Sequence, residues 1–87
     1  MSLYTVELDR RVKKDLKSID AKEIKRIKKA IAELRINPRP DGYKKLKGKQ
    51  QNYYRIRTGN YKIIYTIEDS ILLILVVKVG HRRQIYR

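Results

Sequence analysis

The stretch YYRIRTGNYKIIYTI, residues 53 to 67, alternates bulky side chains with cations on both sides of a Gly-Asn pair. Gly-Asn between two alternating segments predicts a two-residue β-hairpin turn, with Gly59 at the position that needs a positive φ. In that register Arg57 faces Lys62, and opposed residues share one face of a sheet. One face of the hairpin then fits a protein core: Tyr54, Ile56, Ile63, Tyr65 and Ile67. The other face carries Arg55, Arg57 and Lys62.

Further strands are predicted on both sides of this hairpin. A turn at Glu68 to Ser70 leads into Ile71 to Val79, which is β-branched and apolar apart from Lys78. Such a run predicts a strand in the middle of a sheet, buried on both faces. Residues 3 to 8 alternate in polarity and predict a short strand near an edge.

Two amphipathic helices are predicted between the first strand and the hairpin, the first beginning near Asp9 and the second at Asp20. Each has apolar residues spaced three or four apart. These residues are Val12, Leu16 and Ile19 in the first helix and Ile24, Ile27, Ile31 and Leu34 in the second. Asp20 and Glu23 have the spacing of a capping box. Pro38 ends the second helix by Asn37, because proline disfavours helical geometry in the residue before it.

The order of these elements predicts an α+β fold. Residues 37 to 52 contain turn formers and five cations with little periodicity, and we expect a basic loop there. We therefore predict two N-terminal helices packed on one face of a small, mainly antiparallel four-stranded sheet (β-α-α-β-β-β). Eighty-seven residues provide one core, so we expect residues 1–87 to form a single domain.

Composition limits the class of protein. The chain has no cysteine, so disulfides and thiolate metal sites are excluded. Its longest apolar run, Ile71 to Val77, is far shorter than the roughly 20 residues of a membrane span. No apolar stretch typical of a signal peptide is present at the N-terminus. We predict a cytoplasmic protein with no membrane partner.

The net charge of +14 is unevenly distributed. Residues 1 to 41 carry 12 basic and 7 acidic side chains, whereas residues 42 to 87 carry 11 basic side chains and only Glu68 and Asp69. Such a field favours a polyanionic partner, with nucleic acid before membrane, or an acidic protein. A solvated basic surface that aids solubility is the alternative.

The cations of the hairpin point to phosphate. Arg57 and Lys62 form a cross-strand pair of like charges, which costs up to about 1 kcal/mol of stability. A bound phosphate would offset that cost, because a guanidinium donates two parallel hydrogen bonds to phosphate oxygens. The alternative is an exposed sheet face whose charges prevent edge-to-edge association.

Three residues after Gly80 extend this interpretation. His81 is the chain's only histidine, and its ordinary pKa suits proton transfer near neutral pH, although a lone histidine is usually structural. Arg82 adds a further cation. Tyr86 either stacks on a base of single-stranded RNA or packs into the core.

Together these segments resemble one family. YYRIRTGNYKIIYTI and ILLILVVKVGHRRQIYR, behind two amphipathic helices and a basic KKLKG loop, resemble the RelE toxins of toxin–antitoxin pairs, within the RelE/ParE superfamily. The similarity covers essentially the whole chain. It implies a ribosome-dependent endoribonuclease that enters the A site, meets messenger and ribosomal RNA there, cuts the messenger, and is held inactive by a RelB-type antitoxin.

The resemblance also implies residue roles. Positions matching Arg55 and Arg57 approach the scissile phosphate and the attacking 2′-hydroxyl, those matching Lys62 and Arg82 stabilise the transition state or protonate the leaving oxygen, and the tyrosine stacks on the nucleotide. Because the pKa of arginine is too high for a general base, His81 becomes the stronger acid or base candidate. The catalytic candidates are Arg55, Arg57, Lys62, His81, Arg82 and Tyr86. The candidate RNA-binding residues are Lys44, Lys45, Lys47, Lys49, Arg83 and Arg87.

A reaction without a metal is the expected chemistry. We expect no carboxylate, cysteine or histidine cluster on the basic face, and therefore no metal site and no cofactor. In-line attack of an RNA 2′-hydroxyl on the adjacent phosphate would leave a 2′,3′-cyclic phosphate and a 5′-hydroxyl. Two alternatives remain open: a ParE-like inhibitor of DNA gyrase, and an RNA-binding module without catalytic activity.

Overall fold

Two helices and five strands make up the part of the chain that the structure describes. A computed structural model of the protein describes residues 3–47 and 52–81. The elements are β1 (Thr5–Leu8), α1 (Arg10–Lys17), α2 (Ala21–Leu34), β2 (Lys44–Lys45), β3 (Tyr54–Thr58), β4 (Tyr61–Glu68) and β5 (Leu73–His81). A short 3-10 turn, Asp69–Ile71, lies between β4 and β5.

The strands form one sheet in the order β1-β5-β4-β3-β2. β1 pairs with β5 in parallel, and the remaining neighbours are antiparallel. The predicted α+β class is confirmed. The sheet has five strands rather than four, because Lys44 and Lys45 pair with Arg55 and Tyr54 where a loop was predicted. A two-residue strand shows no periodicity, so only its pairing with β3 defines it.

The predicted hairpin register is confirmed. Arg57 faces Lys62, and the flanking pairs are Thr58 with Tyr61, Ile56 with Ile63, and Tyr54 with Tyr65. Gly59 has a φ of +59°, as the turn requires. The turn also approaches α2 closely, since a Cβ on Gly59 would lie 3.1 Å from Glu23 Oε2.

The core lies between the helices and one face of the sheet. Its fully buried members are Val12, Ile27, Leu34, Ile63, Tyr65, Ile74 and Val76, with Ile56 and Val79 nearly so. The hydroxyl of Tyr65 donates a hydrogen bond of 2.7 Å to the backbone oxygen of Pro38, which attaches the loop after α2 to the sheet. Burial raises the pKa of Tyr65 to about 12. Within the described ranges, neither helix is long and apolar enough to span a membrane.

The predicted start of the first helix near Asp9 is confirmed, and the predicted cap of the second helix is corrected. Asp9 accepts a hydrogen bond of 2.9 Å from the backbone N–H of Arg11 and caps α1. Asp20 precedes α2 but makes no side-chain cap, so the predicted capping box is wrong. Glu23 lies instead 3.7 Å from the guanidinium of Arg26, one turn further along the helix.

The last strand lies inside the sheet, as predicted. It begins at a later residue than predicted, and its pairing with β4 is irregular. β5 begins at Leu73, because Leu72 adopts a left-handed conformation with a φ of +51°. It lies between β1 and β4, with one face in the core and much of the other only half-buried. An irregularity between Ile64 and Tyr65 shifts the pairing, so that Ile64 faces Lys78 while Tyr65 faces Val76.

Candidate functional site

Four cations occupy neighbouring positions on the sheet face that points away from the core. The ladders place Arg57 opposite Lys62, and Arg55 between Lys44 on β2 and Ile64 on β4. Because side chains two residues apart share a face, Arg55 and Arg57 lie on the same side of β3. The structure therefore brings together three of the predicted catalytic residues and one predicted RNA-binding residue.

Burial separates these cations into two kinds. Arg57 and Lys44 are exposed, whereas Arg55 is 6% exposed and Lys62 is 1% exposed. Charges that only protect a sheet edge stay in water, because removing a charge from water is costly. The alternative of a solvated basic face therefore does not describe Arg55 and Lys62.

A groove of about 500 Å³ runs along the edge of β3 beside these cations. β2 pairs only with Tyr54 and Arg55, so the edge from Ile56 onward is not covered by β2. The β3 side of the groove is formed by Arg55, Ile56 and Arg57, and Lys44 extends it. The opposite side is formed by Ala30 and Glu33 of α2 and by the turn Pro40, Asp41 and Gly42.

Glu33 and Asp41 correct one expectation from the sequence. No carboxylate was expected beside the cationic residues, yet both acidic residues line the groove together with Arg55. No local pattern predicts this proximity, because α2 and the turn reach β3 only in the folded chain. Among the described residues, no three histidine, aspartate or glutamate side chains form a group that could hold a metal ion.

An ion-pair network anchors the loop that carries the turn. Arg39 Nη2 donates a hydrogen bond of 2.9 Å to Asp69 Oδ2, and the Tyr4 hydroxyl donates one of 2.5 Å to Asp69 Oδ1. The hydrogen bond from Arg39, followed by that from Tyr4, lowers the pKa of Asp69, and the bond to Asp69 raises the pKa of Tyr4. The guanidinium of Arg39 also lies 6.0 Å from the Tyr54 ring centroid.

His81 lies on the other side of the sheet. It pairs with Tyr61, and the next pair along the two strands is Lys62 with Gly80. Successive residues of a strand point to opposite faces, and Lys62 lies on the face away from the core. His81 therefore lies on the core face. Its ring meets the Tyr61 ring edge-on, with 5.6 Å between the centroids. Both residues line a pocket of about 250 Å³ at the end of α1. The expectation that His81 adjoins the basic face is therefore wrong, because strand alternation turns it toward the helices.

The remaining predicted residues divide by position. Lys45 is exposed but pairs with Tyr54, and alternation places it on the core side of the sheet; Lys47 is exposed after β2. Arg82 and Tyr86 lie outside the described residues. The same holds for Lys49, Arg83 and Arg87.

Comparison with known proteins agrees with this architecture. Residues 6–86 match the family described as the ParE toxin of the type II toxin–antitoxin system parDE. The chain is 32% identical to the putative toxin RelE1 of Methanocaldococcus jannaschii, over 97% of this chain and 96% of that protein. It is 26% identical to the mRNA interferase toxin RelE of Escherichia coli, over 93% of this chain and 85% of that protein.

A solved structure shows the same fold with a partner. The archaeal RelE in a RelE–RelB complex from Pyrococcus horikoshii superposes with a TM-score of 0.82 at 27% identity, covering 94% of this chain and 98% of that one. The match to the family covers nearly the whole chain, and the relatives share its α+β fold. The chain therefore belongs to the RelE toxins, within the RelE/ParE superfamily of type II toxin–antitoxin systems.

Proposed function

We propose that this toxin is a metal-independent endoribonuclease that cuts messenger RNA in the ribosomal A site. The observation that carries the proposal is the buried Arg55 beside Arg57 and Lys62 on one sheet face. Such cations, held at fixed spacing by a sheet, suit the phosphate of an RNA chain. The name mRNA interferase carried by the E. coli relative supports the same activity.

The proposed reaction uses the RNA's own nucleophile. The 2′-hydroxyl loses its proton to solvent as its oxygen bonds to the adjacent phosphorus. The bond from phosphorus to the 5′ oxygen breaks, and that oxygen takes up a proton from solvent. Negative charge grows on the phosphate oxygens during this step. Arg55, Arg57 and Lys62 supply fixed positive charge there, which stabilises the transition state. The products are a 2′,3′-cyclic phosphate and a 5′-hydroxyl.

Residues outside the described ranges complete the proposed site. Arg82 adds a further charge at the phosphate, and Tyr86 stacks on the nucleotide. Lys44, Lys45 and Lys47 from the described ranges bind the surrounding RNA, together with Lys49, Arg83 and Arg87. His81 lies on the core face, on the other side of the sheet from Arg55, Arg57 and Lys62. We therefore assign it no step as acid or base.

Partners follow from the same proposal. An acidic RelB-type antitoxin is the proposed inhibitor, supported by the RelE–RelB complex of the Pyrococcus relative and by the +14 charge of this chain. The ribosome with bound messenger is the proposed substrate complex, which places the protein in the cytoplasm. A basic surface of this kind attracts both partners electrostatically.

Sequencing the 5′ ends of messenger fragments from a translating extract tests the activity. With the purified protein, new 5′ ends should appear inside codons at the position of stalled ribosomes. Without the protein, or with translation blocked before elongation, those ends should be absent. Intact messenger in a translating extract would contradict the proposal.

A second candidate function comes from the matched family, which is described by its ParE members. Such a toxin would bind DNA gyrase and cut no RNA. The two functions separate cleanly: gyrase-linked DNA breaks with intact messenger favour ParE-like action, and cut messenger with unaffected gyrase favours the endoribonuclease.

A further inference from the structure

The groove beside β3 combines features that a phosphate site alone does not need. Its volume of about 500 Å³ lies within the range of small-molecule pockets. A single phosphate would fill only a small part of it. The remaining space adjoins Ala30, Pro40 and Ile56, which offer apolar surface. A flat organic group attached to the phosphate fits this composition better than an ion.

Arg55 indicates that the ligand is anionic at one end. The residue is 6% exposed, and it lines the groove. Within residues 3–47 and 52–81, its guanidinium makes no hydrogen bond and no ion pair. A buried charge without a partner is costly, and a bound anion would remove that cost. Arg55 is therefore the residue of the groove best suited to hold a phosphate.

Glu33 and Asp41 add hydrogen-bond acceptors to the same groove. The chain has only nine acidic residues, and two of them line this one groove. Neither carboxylate forms an ion pair among the described residues, although Lys44 and Arg57 line the same groove. Carboxylates repel phosphate and accept hydrogen bonds from N–H groups. A ligand that suits this lining therefore carries N–H donors as well as a phosphate.

We propose that this groove is a nucleobase subsite that reads the exocyclic amine of a base attached to the phosphate held by Arg55. The inference rests on the proposed function, since it takes RNA as the ligand. Adenine, cytosine and guanine carry such an amine, and uracil does not. Uracil presents its single N–H between two carbonyl oxygens, which the carboxylates repel. The groove accordingly disfavours uracil.

Cytosine and uracil provide a matched pair of probes, because they have nearly the same shape and differ at this amine. The experiment measures binding of fluorescent 2′-O-methyl trinucleotides, CCC and UUU, to the purified protein. The methyl group blocks the nucleophile, so binding is observed without cleavage. Salt is held constant, because phosphate contacts make the affinity strongly dependent on it. One carboxylate–amine hydrogen bond predicts that CCC binds roughly 3- to 10-fold more tightly than UUU.

Variants that neutralise the two carboxylates test whether Glu33 and Asp41 cause the preference for CCC. Glu33→Gln, Asp41→Asn and the double variant keep side-chain size while removing the acceptor charge, and the double variant should bind CCC and UUU with similar affinity. Glu7→Gln is the matched control, because it removes one exposed carboxylate from β1, at the opposite edge of the sheet. This variant should still bind CCC more tightly than UUU. Tight binding of UUU by the double variant also shows that it is folded.

Two results would overturn the inference: equal affinity of the unmodified protein for CCC and UUU, or a preference that survives in the double variant. Cleavage is scored separately in the translating extract. If messenger is cut but no preference for CCC appears, the base subsite fails and the proposed nuclease stands. If the preference is present but no messenger is cut, the subsite stands and the nuclease fails.

Discussion

The groove beside β3 and the pocket at the end of α1 both contain charged side chains. They differ in whether those charges form ion pairs within the protein. In the pocket, Lys78 Nζ lies 3.6 Å from Asp15 Oδ2, and the ring of His81 contacts that of Tyr61. In the groove, Arg55 is buried without an ion pair among the described residues. The charges of Lys78 and Asp15 compensate each other without a ligand, whereas a nearly buried cation that lacks an ion pair indicates one.

The largest expected effect comes from removing the groove's buried cation. Arg55→Ala should lower the rate of messenger cleavage by about 100-fold or more, because one fixed donor to a transition-state charge contributes that much. Its stability should change by less than about 1 kcal/mol, since the lost packing is offset by removal of a buried charge. The measurements are fragment formation in a translating extract and urea unfolding.

Lys25→Ala is the matched control, because it removes one exposed cation from α2. Cleavage by this variant should stay within about 3-fold of the unmodified protein, as expected for an exposed charge that does not line the groove. Equal loss of activity in both variants would show that only the overall charge matters, and the distinction between the groove and the rest of the surface would be lost.

Tyr65→Phe tests how the wall of the groove is attached to the core. The variant loses the hydrogen bond to the buried Pro38 carbonyl and should lower the free energy of unfolding by about 1 to 3 kcal/mol. Chemical denaturation measures this change. An unchanged midpoint would mean that the bond does not hold the loop in solution.

His81→Ala tests the pocket side of the comparison. Loss of the edge contact with Tyr61 should reduce stability by about 1 kcal/mol. Cleavage, measured below the unfolding temperature, should remain within about 3-fold, with the same dependence on pH as the unmodified protein. A flattened pH profile with a large loss of activity would instead restore His81 as an acid or base.

The smallest expected effect is on how stability depends on pH. The pKa of Asp69 is lowered in the folded state, so its ionised form contributes stability above the ordinary value of 3.8. That contribution is lost as the pH falls through the lower, folded pKa. Asp69→Asn should therefore melt at a lower temperature than the unmodified protein at pH 7, with the difference disappearing in strong acid. A difference independent of pH would exclude the ion pair as its source.

The hairpin could be predicted from the local sequence, whereas the candidate site could be predicted only in part. The Gly59 turn and the alternation around it specify the register of β3 and β4 without help from the rest of the chain. The face of His81 depends instead on the shifted pairing near Ile64, which no local pattern shows. Glu33 reaches the groove only through packing of α2, and helical periodicity alone does not reveal that neighbour.

The central claim is that the cations around Arg55 act on an RNA phosphate attacked by its own 2′-hydroxyl. The most direct measurement places one 2′-deoxyribose at the mapped cut site of a messenger in a translating extract. The account predicts that cutting there stops, while the all-ribose messenger yields a 2′,3′-cyclic phosphate and a 5′-hydroxyl. Unchanged cutting at the deoxyribose position would contradict it.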